Sequence, residues 1–94
     1  LRIAGTGVYE QQAFYRLCDE LGILVWQDFM FASTGYPVDR LRGRIITEAE
    51  HQLQRLRPHP AIVLWCGCNE DVFSWGLKSD SEVNYGSADT GVYA

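Results

Sequence analysis

The chain has 94 residues, enough for one domain or for part of a larger one. Hydrophobic residues make up 47%, and 8 basic against 12 acidic side chains give a formal charge of −4 with no block of like sign. That balance argues against disorder over most of the length, and it prepares no surface for nucleic acid or anionic lipid.

The apolar stretches are strand-sized, too short to cross a bilayer. The first, Leu1 to Ala4, ends in Gly5-Thr6-Gly7. From Tyr9 to Leu21 the residues Phe14, Leu17, Cys18 and Leu21 fall on one face of an amphipathic helix. Gly22 follows where a left-handed capping residue is wanted. Ile23-Leu24-Val25-Trp26 is continuous rather than alternating, the pattern of a parallel strand covered on both faces. An aromatic-rich loop from Phe29 to Asp39, with Gly35-Tyr36-Pro37, leads to a second helix over about Arg40 to Leu56. Leu41, Ile45, Ala49, Leu53 and Leu56 form its apolar face, opposite Arg44, Glu48, Gln52 and Arg55. Pro58 and Pro60 stop it. Ala61-Ile62-Val63-Leu64-Trp65 reads as the third strand, and Gly67-Cys68-Asn69-Glu70 follows at once. Beyond Lys78 the sequence is polar and aperiodic, so residues 79–94 read as a loop or disordered tail.

Strand, helix, strand, helix, strand predicts an α/β fold with about three parallel strands and two helices. A closed barrel needs eight strands and roughly 250 residues. Periodicity alone leaves open whether these strands form a small self-contained sheet or part of such a barrel.

Polar residues of chemical use gather at the carboxyl ends of the strands, where parallel α/β proteins place their sites. They are Gly5-Thr6-Gly7, Gln27-Asp28 and Asn69-Glu70-Asp71. Glu70 is the sharpest candidate. Glycosidic cleavage needs a carboxylic acid to protonate the leaving oxygen, and Trp65, Phe73 and Trp75 offer an apolar neighbourhood that would keep it protonated. The competing reading has Glu70 and Asp71 capping a following helix. Gln27 and Asp28 bond a ligand's hydroxyls or orient Glu70, or else occupy an ordinary turn. Arg2 needs a partner, a ligand contact or an exposed edge, because arginine rarely enters a strand core unpaired. Gly5-Thr6-Gly7 lacks the third glycine of a dinucleotide fingerprint, since Glu10 stands there. Three cysteines, Cys18, Cys66 and Cys68, sit within or beside apolar segments and read as small hydrophobes. That usage favours a reducing compartment such as the cytoplasm. Cys66 and Cys68 near His59 have the wrong spacing for a zinc knuckle, so no metal or cofactor is expected. His51, among charged neighbours, reads as solvated.

The segment from Phe14 to Ala32, and above all Trp26-Gln27-Asp28-Phe29-Met30-Phe31-Ala32, resembles the catalytic barrel of family 2 glycoside hydrolases in their β-mannosidase branch. His59-Pro60-Ala61-Ile62-Val63-Leu64-Trp65 with Gly67-Cys68-Asn69-Glu70 is similar to that family's acid/base strand. The resemblance implies that residues 1–78 are a fragment of a (β/α)₈ barrel, roughly its second to fourth strands. It implies Glu70 as proton donor, Asn69 as a contact to the substrate's 2-hydroxyl, and Arg2, Asp28 and Trp65 as part of the sugar site. Implied partners are a β-mannoside substrate, the rest of the barrel and flanking β-sandwich domains. The nucleophile carboxylate would lie on a later strand, Glu82 being a poor substitute. The 94 residues alone are then expected to be inactive and prone to associate through uncovered edges and faces. The alternative is a small non-catalytic α/β module that binds a ligand or partner at the same rim.

Overall fold

A computed structural model describes residues 1–32 and 38–70. The elements are β1 (Arg2–Ile3), α1 (Gln12–Leu21), β2 (Val25–Asp28), α2 (Val38–Leu56) and β3 (Ile62–Cys66). The strands form one parallel sheet in the order β1-β2-β3. Parallel neighbours cannot be joined by a tight turn, so each helix is the crossover that returns the chain to the starting edge. All three carboxyl ends therefore emerge together. Arg2 pairs with Trp26, Trp26 with Leu64 and Asp28 with Cys66, with a register irregularity between Val25 and Trp26.

Gly22 ends α1 as its sequence position predicts, at φ 68°, while Ile23 N–H donates to the Cys18 carbonyl at 2.9 Å. The helix begins at Gln12 rather than Tyr9. Tyr9 serves the loop after β2 instead, its hydroxyl accepting from Met30 N–H at 3.3 Å. Desolvation by burial pushes the Tyr9 phenol above its ordinary range. At the far end of α2, Arg57 N–H reaches Leu53 and His59 N–H reaches Leu56, so the chain turns at Pro58 and Pro60.

The core consists of Tyr15, Cys18, Val25, Leu56 and Ala61, with Ile3, Phe14, Ile23, Ile62 and Trp65 packed around it. This corrects the expected face of α1, because Leu17 is 54% exposed and Leu21 69% exposed. The helix turns Tyr15 inward instead, where the phenol donates to Gln27 Oε1 at 2.6 Å. Burial raises the Tyr15 pKa, which keeps the hydroxyl protonated as a donor. On α2, Leu41, Ile45, Ala49 and Leu56 do turn toward the protein, but Leu53 is exposed and Gln52 and Arg55 are half-buried. Arg55 lies over the Tyr15 ring, donates to the Glu10 carbonyl and holds the Gln52 amide. Its aliphatic stem lets a charged residue cover apolar surface. One face of the sheet is left uncovered among the described residues, as expected for a fragment of a larger fold. Leu24, Trp26, Val63 and Leu64 are all exposed, and with Leu1 and Arg2 they line a shallow concavity of about 450 Å³.

One polar cluster ties α1 to the start of β3. Asp19 accepts from Ala61 N–H at 2.9 Å and faces His59 Nδ1 at 2.5 Å. With Nδ1 donating to the carboxylate, His59 Nε2 is the acceptor for the Gln12 amide at 2.6 Å. The hydrogen bond from His59 is the main reason the Asp19 carboxyl is held below its ordinary range. His59 is therefore a structural clasp between α1 and β3. A carboxyl with a lowered folded pKa binds fewer protons in the native state than in the unfolded state. Its stabilisation is complete above the unfolded pKa and is lost as pH falls through the lowered value. Denaturant titrations across acidic pH should show native stability declining in that window. Asp19→Asn should flatten the decline, and an unchanged acid limb would refute the clasp.

Candidate active site

The sheet's carboxyl edge carries a cluster assembled from all three strands. Asp28, at the end of β2, has no exposure to solvent. A carboxylate in that position requires donors, and three converge on it. Arg2 donates from Nη2 to Oδ2 at 2.8 Å and from Nε to Oδ1 at 3.3 Å, while Gly5 N–H donates to Oδ2 at 3.0 Å. The two-pronged contact matches a guanidinium to a carboxylate, a geometry that lysine cannot reproduce. Its hydrogen bond to Asp28 holds the Arg2 pKa above its ordinary value, and the charge of Glu70 adds to the effect. Trp26 lies beneath the guanidinium, with its ring centroid 4.6 Å from Arg2 Cζ.

The same Nη2 group reaches the third strand, donating to Asn69 Oδ1 at 3.0 Å. Asn69 is set beside the loop after β2 by its own backbone, with N–H donating to the Phe31 carbonyl at 2.8 Å and a parallel bridge to Ala32. Glu70 follows, exposed and at φ 59°, the only non-glycine residue with positive φ among the described residues. A helix-capping residue normally has extended backbone, so this geometry disfavours the capping reading. Left-handed backbone at a non-glycine residue costs on the order of 1–2 kcal/mol and tends to occur where function needs it.

Arg2, Asp28 and Asn69 are thus brought together at one rim, with Glu70 next in the chain. Two expected participants are placed elsewhere. Trp65 pairs in register with Gln27 and packs its ring against Phe29 at 5.4 Å, contributing to the core's surround and not to the polar cluster. Gln27 is fully buried with both ends of its amide in use, accepting from Tyr15 and donating to the Asp28 carbonyl at 2.8 Å. It supports the Asp28 backbone from below. Strand alternation accounts for both, since Gln27 and Trp65 share the helix-covered face while Trp26 and Asp28 share the other. The apolar shelter expected around Glu70 rests on Phe73 and Trp75, which lie outside the described residues. So do Asp71, Gly35-Tyr36-Pro37 and the tail containing Glu82.

Two members of the site were not legible as such. Trp26 reads as a buried strand residue, but pairing it with Arg2 across a parallel register puts the two on one face. Gly5 reads as part of a strand-end turn and of an incomplete nucleotide motif, whereas its importance is steric. A Cβ there would sit 2.4 Å from the Phe31 carbonyl oxygen, 2.8 Å from that of Phe29 and 3.3 Å from Asn69 Cβ. Those carbonyls are backbone and cannot swing away. Gly5→Ala should lower stability by about 1–3 kcal/mol or more. Denaturation midpoints at constant slope would measure it, and a neutral substitution would mean that the rim is looser than this geometry.

No family model matches the chain. Similarity to individual proteins is strong. A β-mannosidase of Bos taurus is 54% identical over 72 residues, covering 76% of this chain and 8% of the relative. β-Mannosidase B of Emericella nidulans is 44% identical over 90 residues, covering 95% of this chain and 10% of the relative. The crystal structure of a β-D-mannosidase from Dictyoglomus thermophilum superimposes with a TM-score of 0.78 at 42% identity, over the whole of this chain and 12% of that one. The chain thus spans about a tenth of the length of the relatives it matches.

Proposed function

We propose that this β-mannosidase-like chain forms the acid/base edge of a retaining β-mannoside hydrolase of glycoside hydrolase family 2. Its three parallel strands and two crossover helices would then be consecutive units of a (β/α)₈ barrel, whose sites lie at the carboxyl edge of the strands. In this reading the exposed sheet face carrying Trp26 and Leu64 is the inward one. The remaining barrel units, together with β-sandwich domains, would complete the protein.

The observation that carries the proposal is the joining of Asn69-Glu70 to the ends of the other two strands through Arg2. In a retaining hydrolase one carboxylic acid protonates the departing glycosidic oxygen while a second carboxylate attacks the anomeric carbon. The first then takes a proton from the water that releases the sugar. Glu70 is assigned that first role, with Asn69 meeting the sugar's 2-hydroxyl. The exposure of Glu70 suits a group that must reach substrate oxygen and water in turn. The attacking carboxylate must stand about 5–5.5 Å from it. Asp28 is unsuited to attack, because it is fully buried and engaged by Arg2 and Gly5. The nucleophile is therefore assigned to another segment, and the 94 residues alone are expected to turn over no glycoside.

Glu70→Gln in the complete protein tests this. Hydrolysis of a β-mannoside with an unactivated leaving group should fall by about 10²–10⁴-fold. A substrate whose leaving group departs without a proton should lose far less in its first step. Equal losses on both substrates would point to misfolding, and unimpaired turnover would remove Glu70 from the chemistry. The alternative of a non-catalytic binding module is favoured by no observation in the structure.

A further inference from the structure

We propose that Arg2 is a positioning residue that fixes the side-chain amide of Asn69 in one of its two possible orientations, so that its NH₂ donates toward the sugar. The inference rests on the glycosidase reading above and deepens it. An amide's oxygen and nitrogen ends are nearly the same shape, and a site that must donate to a hydroxyl fails if they exchange places. Guanidinium groups have five donors and no acceptor. Whatever Asn69 presents to Arg2 Nη2 at 3.0 Å must therefore be its oxygen. The nitrogen is left on the side away from Arg2.

Arg2 can do this because it is itself fixed on several sides. Asp28 holds its edge through Nε and Nη2, Trp26 lies under its face, and Asp28 is in turn held by Gly5 N–H. The Asn69 backbone is anchored separately to Phe31, so only the torsions of its side chain remain to be set. One nitrogen of the guanidinium is shared between Asp28 and Asn69, which couples the end of β2 to the residue before Glu70. A lysine at position 2 would keep the charge opposite Asp28 but could not hold both partners in a fixed fork.

The test is a double-substitution cycle in the complete protein with Arg2→Lys and Asn69→Ala. Each form is assayed on a β-mannoside and on its 2-deoxy counterpart, which offers no hydroxyl to the amide. Arg2→Lys should lower kcat/KM on the parent sugar by about tenfold or more and change the 2-deoxy substrate little. In the Asn69→Ala background the Arg2 substitution should cost about twofold at most, because the group it orients is gone. Equal losses on both substrates, or losses that simply multiply, would overturn the proposal and leave Arg2 a structural ion-pair partner. A second readout needs no turnover. The side-chain NH₂ resonances of Asn69, assigned by their disappearance in Asn69→Ala, should shift and broaden in Arg2→Lys. If the unmodified protein hydrolyses no glycoside, the glycosidase reading fails on that result alone. The resonances then decide whether Arg2 orients the amide, and unchanged resonances would refute it.

Discussion

A carboxylate sealed from water at the end of the central strand organises everything around it. Asp28 cannot be solvated where it stands, so the fold must bring it donors, and it takes them from the neighbouring strand and the turn that follows. Arg2 is drawn across the sheet edge by this demand, and Gly5 must present its backbone rather than a side chain. Once Arg2 is in place, its spare donor meets Asn69, and the third strand end joins the first two. The rim is thus a consequence of neutralising one buried charge. Geometry at the candidate chemistry is inherited from a stability requirement.

Beneath the rim a second layer performs the same service for the backbone. Tyr15 and Gln27 form a buried hydrogen-bonded pair whose far end holds the Asp28 carbonyl, so α1 reports directly to the site's floor. Asp19, His59 and Gln12 tie the same helix to the entry of β3. Buried polar groups of this kind are costly unless every member is satisfied, and here each described member has a partner. The helix that looks like simple packing material is the strut between the carboxyl end of β2 and the entry of β3.

Much of this was legible in the sequence, for identifiable reasons. Gly22, Pro58 and Pro60 act through their own backbone, so their effects survive whatever surrounds them. The alternation of strand and helix leaves little choice but a parallel sheet, and strand-end polar residues then have to share an edge. What could not be read depends on a partner remote in sequence. Tyr15 displaces Leu17 and Leu21 from the core because Gln27 waits for its hydroxyl, which periodicity of apolar residues does not encode. Trp65 was expected at the site because it is aromatic and near Glu70, but a strand shows successive side chains to opposite faces, and the register sends it to the core side. Family resemblance supplied the roles of Asn69 and Glu70, which spacing alone left open against a helix cap.

The closeness of Gly5 to the carbonyls of Phe29 and Phe31 has a consequence for anyone grafting parts of this sheet edge. The turn after β1 and the loop after β2 interlock at backbone level, with no flexible side chain between them to absorb a mismatch. Exchanging one of these segments with a homologue's, or changing its length, would misplace the other. In chimeras the two pieces, though more than twenty residues apart in the chain, have to travel as a single cassette.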